Sequence, residues 1–293
     1  MLLTVALCTW NRAELLAGAL RRLTEVEPPD GGWDLVVVDN GSTDHTAQVL
    51  SAFAGRLPLR RVLERVLGLS VARNAAVAHA CGRYLAWTDD DVRVDRGWLR
   101  AYERAISAWP QAAVFGGPVR AELEGTPPRW LGAVWEDVAE AFAVRDFGTE
   151  PLPLGPERLP YGANYMVRAR EQRLFLYDPA LGRRGRAGAL GEETAVMRAI
   201  FAKGGSGRWV PTAGVGHLVP AERQTVGYLR RYFALAGRTT AAQQGRAGRG
   251  RLLRRYLRCV CAYAVLRLTG NPRRWIGPLI EGSRVRGRLL SSR

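Results

Sequence analysis

The chain has 293 residues, is 47% hydrophobic and carries a formal net charge of +16. That length allows a large buried core without metal or disulfide staples, and no apolar run is long enough to cross a bilayer as a helix. The four cysteines, Cys8, Cys81, Cys259 and Cys261, show no metal-ligand spacing, and the last two are too close for an ordinary bridge, so a reducing, cytoplasmic setting is expected.

The opening residues MLLTVALCTWNR lack the basic start and small-residue cleavage site of a secretory signal. Residues 2–8 are instead a continuous apolar run with β-branched members, as in a strand covered on both faces. Asn11 stands where it can cap a helix with Leu15, Leu16, Leu20 and Leu23 on one face. The stretch DLVVVDN reads as a second buried strand ending at Asp39, and Ser42, Thr43 and Asp44 offer caps for a helix over 47–53. Residues 60–63 suit a short third strand. Gly68 and Ser70 open a helix over 71–80, closed by Gly82. Residues 84–88 form a strand that runs into Asp89, Asp90 and Asp91. A helix over 98–108 and a strand over 112–115 follow.

Strands alternating with helices at this spacing predict βαβ units and an α/β fold with a mainly parallel sheet. In such sheets ligands bind outside the carboxyl ends of the strands. Three of these ends are polar here: Thr9 with Asn11, Asp39 with Asn40, and Asp89–Asp91.

Residues 121–160, with six prolines and Trp130 and Trp135, read as an irregular excursion that covers a binding cleft. A strand-like stretch returns over 161–167. The glycine-rich run 182–191 leads into a helix over 192–202, and 208–219 holds a last strand or two with His217. The expected division is a catalytic domain over 1–220 and a basic, mostly helical extension over 221–293. That extension holds 17 arginines against Glu222 and Glu281, a charge of +15, while the rest of the chain balances to +1. Such asymmetry calls for a polyanionic partner. Residues 236–251 read as an Ala/Gly/Arg-rich linker. Beyond it Leu252, Leu253, Tyr256, Leu257, Val260, Cys261, Ala264, Val265 and Leu268 recur at helical spacing, with Arg251, Arg254, Arg255 and Arg258 on the other face. This helix suits either an acidic membrane surface or packing against the catalytic domain. Nucleic acid is disfavoured, since no recognition motif accompanies the charge.

Three adjacent carboxylates repel one another, more so when buried. Were the strand to continue through them, Asp89 and Asp91 would project to one side and Asp90 to the other. Mg²⁺ or Mn²⁺ would relieve the repulsion, bound through Asp89 and Asp91, with substrate phosphates completing the shell. The alternative is an acidic loop in which Asp90 or Asp91 caps the next helix. Asp39 can accept hydrogen bonds from a base or ribose, while Asp39-Asn40-Gly41-Ser42 is also good turn chemistry.

The ordered set VALCTWNR, VVVDNGSTD, GLSVARNAAVAHACGRYLAWTDDDV and GEETAVMRAI, with LPYGANYMVRA before the last, resembles a family 2 glycosyltransferase of the Rossmann-like GT-A fold, of the bacterial polysaccharide type. The resemblance covers roughly residues 1–235 and implies a nucleotide-diphosphate sugar donor, a UDP-sugar foremost, with Mg²⁺ or Mn²⁺. It places Thr9 and Asp39 at the nucleoside, with Asn11, Asp89 and Asp90 on the same donor-facing edge. It puts Arg73 and Asn74 near the donor. For these two a surface arginine and a helix-packing hydrogen bond are the structural alternatives.

The resemblance also matches Asp89 and Asp91 to the metal-binding D-x-D pair, Asp91 as the direct ligand. His217 corresponds to a histidine near the metal or diphosphate. Gly191-Glu192-Glu193 matches the acidic motif whose second member is commonly the general base; here that member is a glutamate where an aspartate is usual. Glu193 is the preferred base and Glu192 the second candidate, the two pointing different ways from the helix. Two acids at a helix N-terminus also suit the helix dipole without any catalytic part. The implied reaction is inverting sugar transfer to a carbohydrate or lipid-linked acceptor, at the inner face of the cytoplasmic membrane. Rival readings are a sugar-nucleotide pyrophosphorylase, whose glycine-rich phosphate loop is missing from VALCTWNRAELL, and a non-catalytic membrane-binding scaffold.

Overall fold

The computed structural model describes all residues except 185, 186, 189, 245–247, 292 and 293. The chain forms two compact units, Met1–Arg120 with Ala143–His217, and Ala121–Phe142 with Leu218–Arg293. The strands are β1 (Leu3–Thr9), β2 (Trp33–Asp39), β3 (Leu59–Leu63), β4 (Tyr84–Asp89), β5 (Val92–Val94), β6 (Val114–Gly116), β7 (Val119–Leu123), β8 (Pro153–Leu154), β9 (Tyr165–Arg168), β10 (Arg183–Arg184), β11 (Ala187–Gly188), β12 (Gly207–Trp209) and β13 (Val215–Val219). The helices are α1 (Ala13–Leu23), α2 (Thr46–Phe53), α3 (Leu69–His79), α4 (Trp98–Ala108), α5 (Arg129–Ala133), α6 (Trp135–Val138), α7 (Ala169–Leu174), α8 (Glu192–Ala202), α9 (Val226–Gln244), α10 (Arg249–Arg267) and α11 (Pro272–Leu290).

The first unit is a mixed sheet in the order β3-β2-β1-β4-β9-β6-β12-β8. Strands β1 to β4 run parallel, and β9 is antiparallel to both its neighbours. The apolar strands are continuous because both faces are covered. Leu3, Val5, Leu7, Leu35 and Val37 pack with Leu16, Leu20 and Leu23 of α1 and with Trp98 and Tyr102 of α4. The intervening Ala6, Val36, Val38, Leu85 and Trp87 pack with Ala72, Ala76 and Val77 of α3 and Met197 and Ile200 of α8. The register sets Thr9 beside Asp39, and Cys8 beside Asp89, so three polar strand ends lie along one edge.

Two expectations about organisation are corrected. The second unit begins at Leu218, close to the expected boundary at 220, but residues 121–142, expected with the catalytic part, belong with the C-terminal helices. Their aromatic side chains explain it: Trp130 packs on Trp275, and Phe142 stacks on Trp135 and Tyr228. The excursion read over 121–160 is therefore split, and only its second half stays in the first unit. The linker expected over 236–251 is largely helical, since α9 runs to Gln244 and α10 starts at Arg249; its residues 245–247 lie outside the described ones. So do 185, 186 and 189 of the glycine-rich run, whose neighbours pair as β10 and β11.

Within the second unit α9 and α11 touch backbone to backbone. A side chain at Gly237 would strike the Arg284 backbone, and one at Gly287 would strike the Ala234 backbone. Helix α10 divides its apolar residues between two faces: Leu252 is buried, whereas Leu253, Leu257 and Val260 are exposed.

Asn164 ties together parts of the first unit that are distant in sequence. Its carbonyl accepts from Trp98 Nε1 (2.9 Å) and Tyr102 Oη (2.7 Å), and its amide donates to the Pro118 (3.1 Å) and Ala213 (2.7 Å) carbonyls. All of its amide capacity is used in a fully buried site. Asn164→Ala strands several buried polar groups at once and should destabilise the unit by about 3–5 kcal/mol. Urea unfolding followed by tryptophan fluorescence measures this; a loss below about 1 kcal/mol would show that water replaces the amide.

Candidate active site

Strand β4 ends at Asp89, and the chain turns through Asp90 and Asp91 before β5. The alternation expected across the three acids therefore fails, because it needs an extended backbone. The acids divide differently. Arg12, at the start of α1, bonds Asp90 Oδ1 with Nη1 and Asp91 Oδ2 with Nη2, the latter at 2.6 Å. Asp90 Oδ2 accepts from Thr9 Oγ1 at 2.8 Å. Asp91 Oδ1 lies 3.5 Å from His217 Nε2, which β13 brings alongside by pairing with β5. Asp89 points elsewhere: its side chain is partly exposed and lies 3.8 Å from Arg73 Nη2.

Arg73 connects this edge to the second acidic motif. It is 3% exposed, far from a surface arginine, and sits over the rings of Trp87 and Tyr177. Its Nη1 donates to Glu192 Oε1 at 2.9 Å and lies 3.7 Å from Glu193 Oε2. Both glutamates of α8 thus face one guanidinium, contrary to the expectation that they diverge. Burial works against the charge of Arg73, but Tyr165, Glu192, Tyr177 and Asp89 outweigh it and hold its pKa well above the usual value.

The carboxyls pay for their crowding in proton affinity. Burial, reinforced by Glu192 and opposed by Arg73, pushes Glu193 up to about 8. Burial pushes Asp90 up to about 7, against the pull of Arg12 and with the push of Asp91. Burial also raises Asp89, with Arg73 lowering it and Asp91 raising it. Burial chiefly pushes Cys8 up to about 12, which favours its neutral thiol.

Asp39 is buried, accepts from the Ser42 backbone N–H (2.9 Å) as a turn former, and pairs its other oxygen with Arg61 (2.9 Å). Asn11 does not cap α1. It has a positive φ of 52°, and its carbonyl accepts from the Thr43 N–H at 2.7 Å. The N–H of Ala13, the first residue of α1, bonds Asp44 Oδ2 (3.0 Å), while Asp44 Oδ1 serves Thr46, so one aspartate secures the starts of α1 and α2. Asn74 spends both ends of its amide on the Tyr177 backbone, at 2.8 and 2.9 Å, which is the helix-packing alternative.

Arg12, Arg61 and Tyr177 were not singled out from sequence. Arg12 stands in VALCTWNR, three residues past a polar strand end, and the need of three acids for a nearby cation was the signal for it. Arg61 and Tyr177 had no such signal.

Among the described residues no three His, Cys, Asp or Glu side chains converge as a ready metal cage. The edge nonetheless gathers six carboxyl groups (Asp39, Asp89, Asp90, Asp91, Glu192, Glu193) around three guanidiniums (Arg12, Arg61, Arg73). Asp91 with His217 beside it offers hard oxygen and imidazole donors, a set that fits Mg²⁺ or Mn²⁺ when ligand phosphates supply the other oxygens.

Residues 4–164 match the family described as Glycosyl transferase family 2. Over 243 residues the chain is 28% identical to the succinoglycan biosynthesis protein ExoM of Rhizobium meliloti, covering 80% of this chain and 72% of that protein. The solved structure of S. aureus TarS 1–349 in complex with UDP-GlcNAc aligns over 98% of this chain and 90% of its own, with a TM-score of 0.60 at 12% identity. The mannosyltransferase PcManGT from Pyrobaculum calidifontis, solved with GDP-Man and Mn²⁺, aligns over 84% of this chain and 65% of its own, with a TM-score of 0.56 at 23% identity. These structures share the GT-A fold with the present chain.

The raised carboxyls set a pH dependence of stability. Asp90 and Glu193 keep their protons to about 7 and about 8 when folded. In the unfolded chain they release them near pH 4. Between about pH 4 and 8 the folded state thus binds more protons, and the free energy of unfolding falls as pH rises. Metal-free Glu193→Gln should show a shallower decline of melting temperature between pH 5.5 and 8 than the wild type. Parallel declines would mean that Glu193 titrates normally in the fold.

Proposed function

Because the chain belongs to glycosyl transferase family 2 and is therefore a glycosyltransferase, we propose that its transfer is inverting and divalent-metal-dependent. The donor is a nucleotide-diphosphate sugar, a UDP-sugar foremost, and the acceptor a hydroxyl of a carbohydrate or lipid-linked glycan in bacterial polysaccharide or glycolipid assembly. The work takes place in the cytoplasm, at the inner face of the membrane. Membership of this family leaves no support for the pyrophosphorylase reading.

One observation carries the proposal. Arg73 lies within 4 Å of Asp89 and of both glutamates of α8, so the acidic motif abuts the strand edge where a diphosphate would sit. Glu193 takes the proton from the acceptor hydroxyl as that oxygen attacks the anomeric carbon. The bond from that carbon to the diphosphate oxygen breaks, and the nucleoside diphosphate leaves. Glu192, bonded to Arg73, holds the guanidinium in place and raises the proton affinity of Glu193, which strengthens it as a base. Asp91, with His217 beside it, would hold the cation, which when bound neutralises charge growing on the departing diphosphate. Arg12 and Thr9 fix Asp90, and through the shared guanidinium fix Asp91. Asp39, steadied by Arg61 and the Ser42 turn, presents the nucleoside edge, with Asn11 bracing the adjoining loop.

A thermal-shift screen of nucleotide sugars with and without Mn²⁺ identifies the donor, and release of nucleoside diphosphate reports transfer. Asp91→Ala should abolish transfer and remove the Mn²⁺-dependent part of the donor shift; full activity in this variant would overturn the metal assignment. Glu193→Gln should lower kcat by about 10²–10⁴-fold while leaving donor affinity nearly unchanged. An unaltered kcat would move the base to Glu192 or beyond.

A further inference from the structure

We propose that α10 is an interfacial anchor whose outer face docks on a membrane surface rich in anionic phospholipid. This inference concerns the second unit alone and does not rest on the transfer chemistry.

Leu253, Leu257, Val260, Ala264 and Leu268 are separated by four, three, four and four residues, which stacks them in one row along a helix. The row runs for about 22 Å at 1.5 Å per residue. It is solvent-facing: Leu257 is 52% exposed and Leu268 is 88% exposed. The opposite face, with Leu252, Tyr256, Tyr263 and Leu266, is buried or half-buried and packs within the unit against α11. The helix therefore already has its core contact, and the outer row is surplus to folding.

Charge identifies the occupant. On the helical wheel the row is flanked by Arg254 and Arg258 on one side and by Arg249 and Arg267 on the other. Among the described residues Arg251, Arg254 and Arg258 form no ion pair, whereas Arg255 is neutralised by Glu281 at 2.7 Å. Arg251, Arg254, Arg255 and Arg258 also line, together with the single acid Glu281, a cleft of about 720 Å³ between α10 and α11. A second copy of the chain would bring arginines against arginines. A nucleic acid would meet the arginines but leave the leucines in water. A lipid surface of negative charge answers both, with the leucines entering the headgroup boundary and the arginines meeting lipid phosphates. No described helix is long and apolar enough to cross a membrane, so α10 would lie in the interface plane.

The test is co-flotation of the full chain with vesicles of phosphatidylcholine alone or with 30% phosphatidylglycerol added, across a NaCl series. The expected result is binding to the anionic vesicles only, weakening as salt rises. Combined Leu253→Gln, Leu257→Gln and Val260→Gln changes lie on the exposed face, so the helical circular dichroism should be retained. They should weaken binding at least about a hundredfold. Arg254→Gln with Arg258→Gln should weaken it about fivefold per arginine and flatten the salt dependence. Three results would overturn the proposal: no binding to anionic vesicles, unchanged binding by the triple variant, or tighter binding to a single- or double-stranded oligonucleotide than to vesicles. Light scattering adds a fourth, a wild-type oligomer that the triple variant dissolves without loss of vesicle binding, which would assign the row to self-association.

Discussion

Acids packed side by side at the end of a buried strand demand positive charge, and the site is arranged around its delivery. Two like charges about 4 Å apart repel by roughly 4 kcal/mol in a partly buried setting. Arg12 reaches Asp90 and Asp91 from the start of α1, on one face of the sheet. Arg73 reaches Asp89 and the glutamate pair from α3, on the other. Each guanidinium has several donors in a rigid fork, so one arginine can serve two carboxyls where a lysine would serve one well. The only lysine in the chain, Lys203, lies outside this cluster.

Compensation is incomplete, and the remainder is chemically useful. With more carboxyls than guanidiniums, some acids hold protons to neutral pH and above, and the edge is predisposed to a cation. The same desolvation that makes Glu193 a poor anion raises its affinity for a proton. Asn164 guards this arrangement from a distance. By joining α4 to the loops at Pro118 and Ala213 it fixes the approach to β13, and β13 carries His217 to Asp91.

The second unit shows a different economy. Residues 121–142 leave the first unit, contribute aromatic rings to the C-terminal helices, and so make a small core there possible. Backbone contact at Gly237 and Gly287 lets α9 and α11 pair closely. Helix α10 completes the group with one of its two apolar faces, which is why a single stripe read from sequence proves to be two.

Much of this was legible in the residues. The order of strands and helices over 1–115 follows from apolar periodicity, because local spacing decides which residues a strand or helix buries. The helices over 98–108 and 192–202 are observed at those same bounds. The polar strand ends were legible too, and the register brings them along one edge, because a parallel sheet covered on both faces exposes polar groups there. What the sequence could not state is which charge meets which. That Asp90 and Asp91 share Arg12, that both glutamates share Arg73, and that Asp44 rather than Asn11 secures α1 depend on a turn after Asp89 and on contacts between segments 31 to 119 residues apart in sequence. The assignment of 121–142 to the second unit was equally hidden, since composition marks a segment as irregular but not what it packs on. Local pattern is set by neighbours along the chain; the pairing of charges and rings is set by neighbours in space, which only the folded backbone brings together.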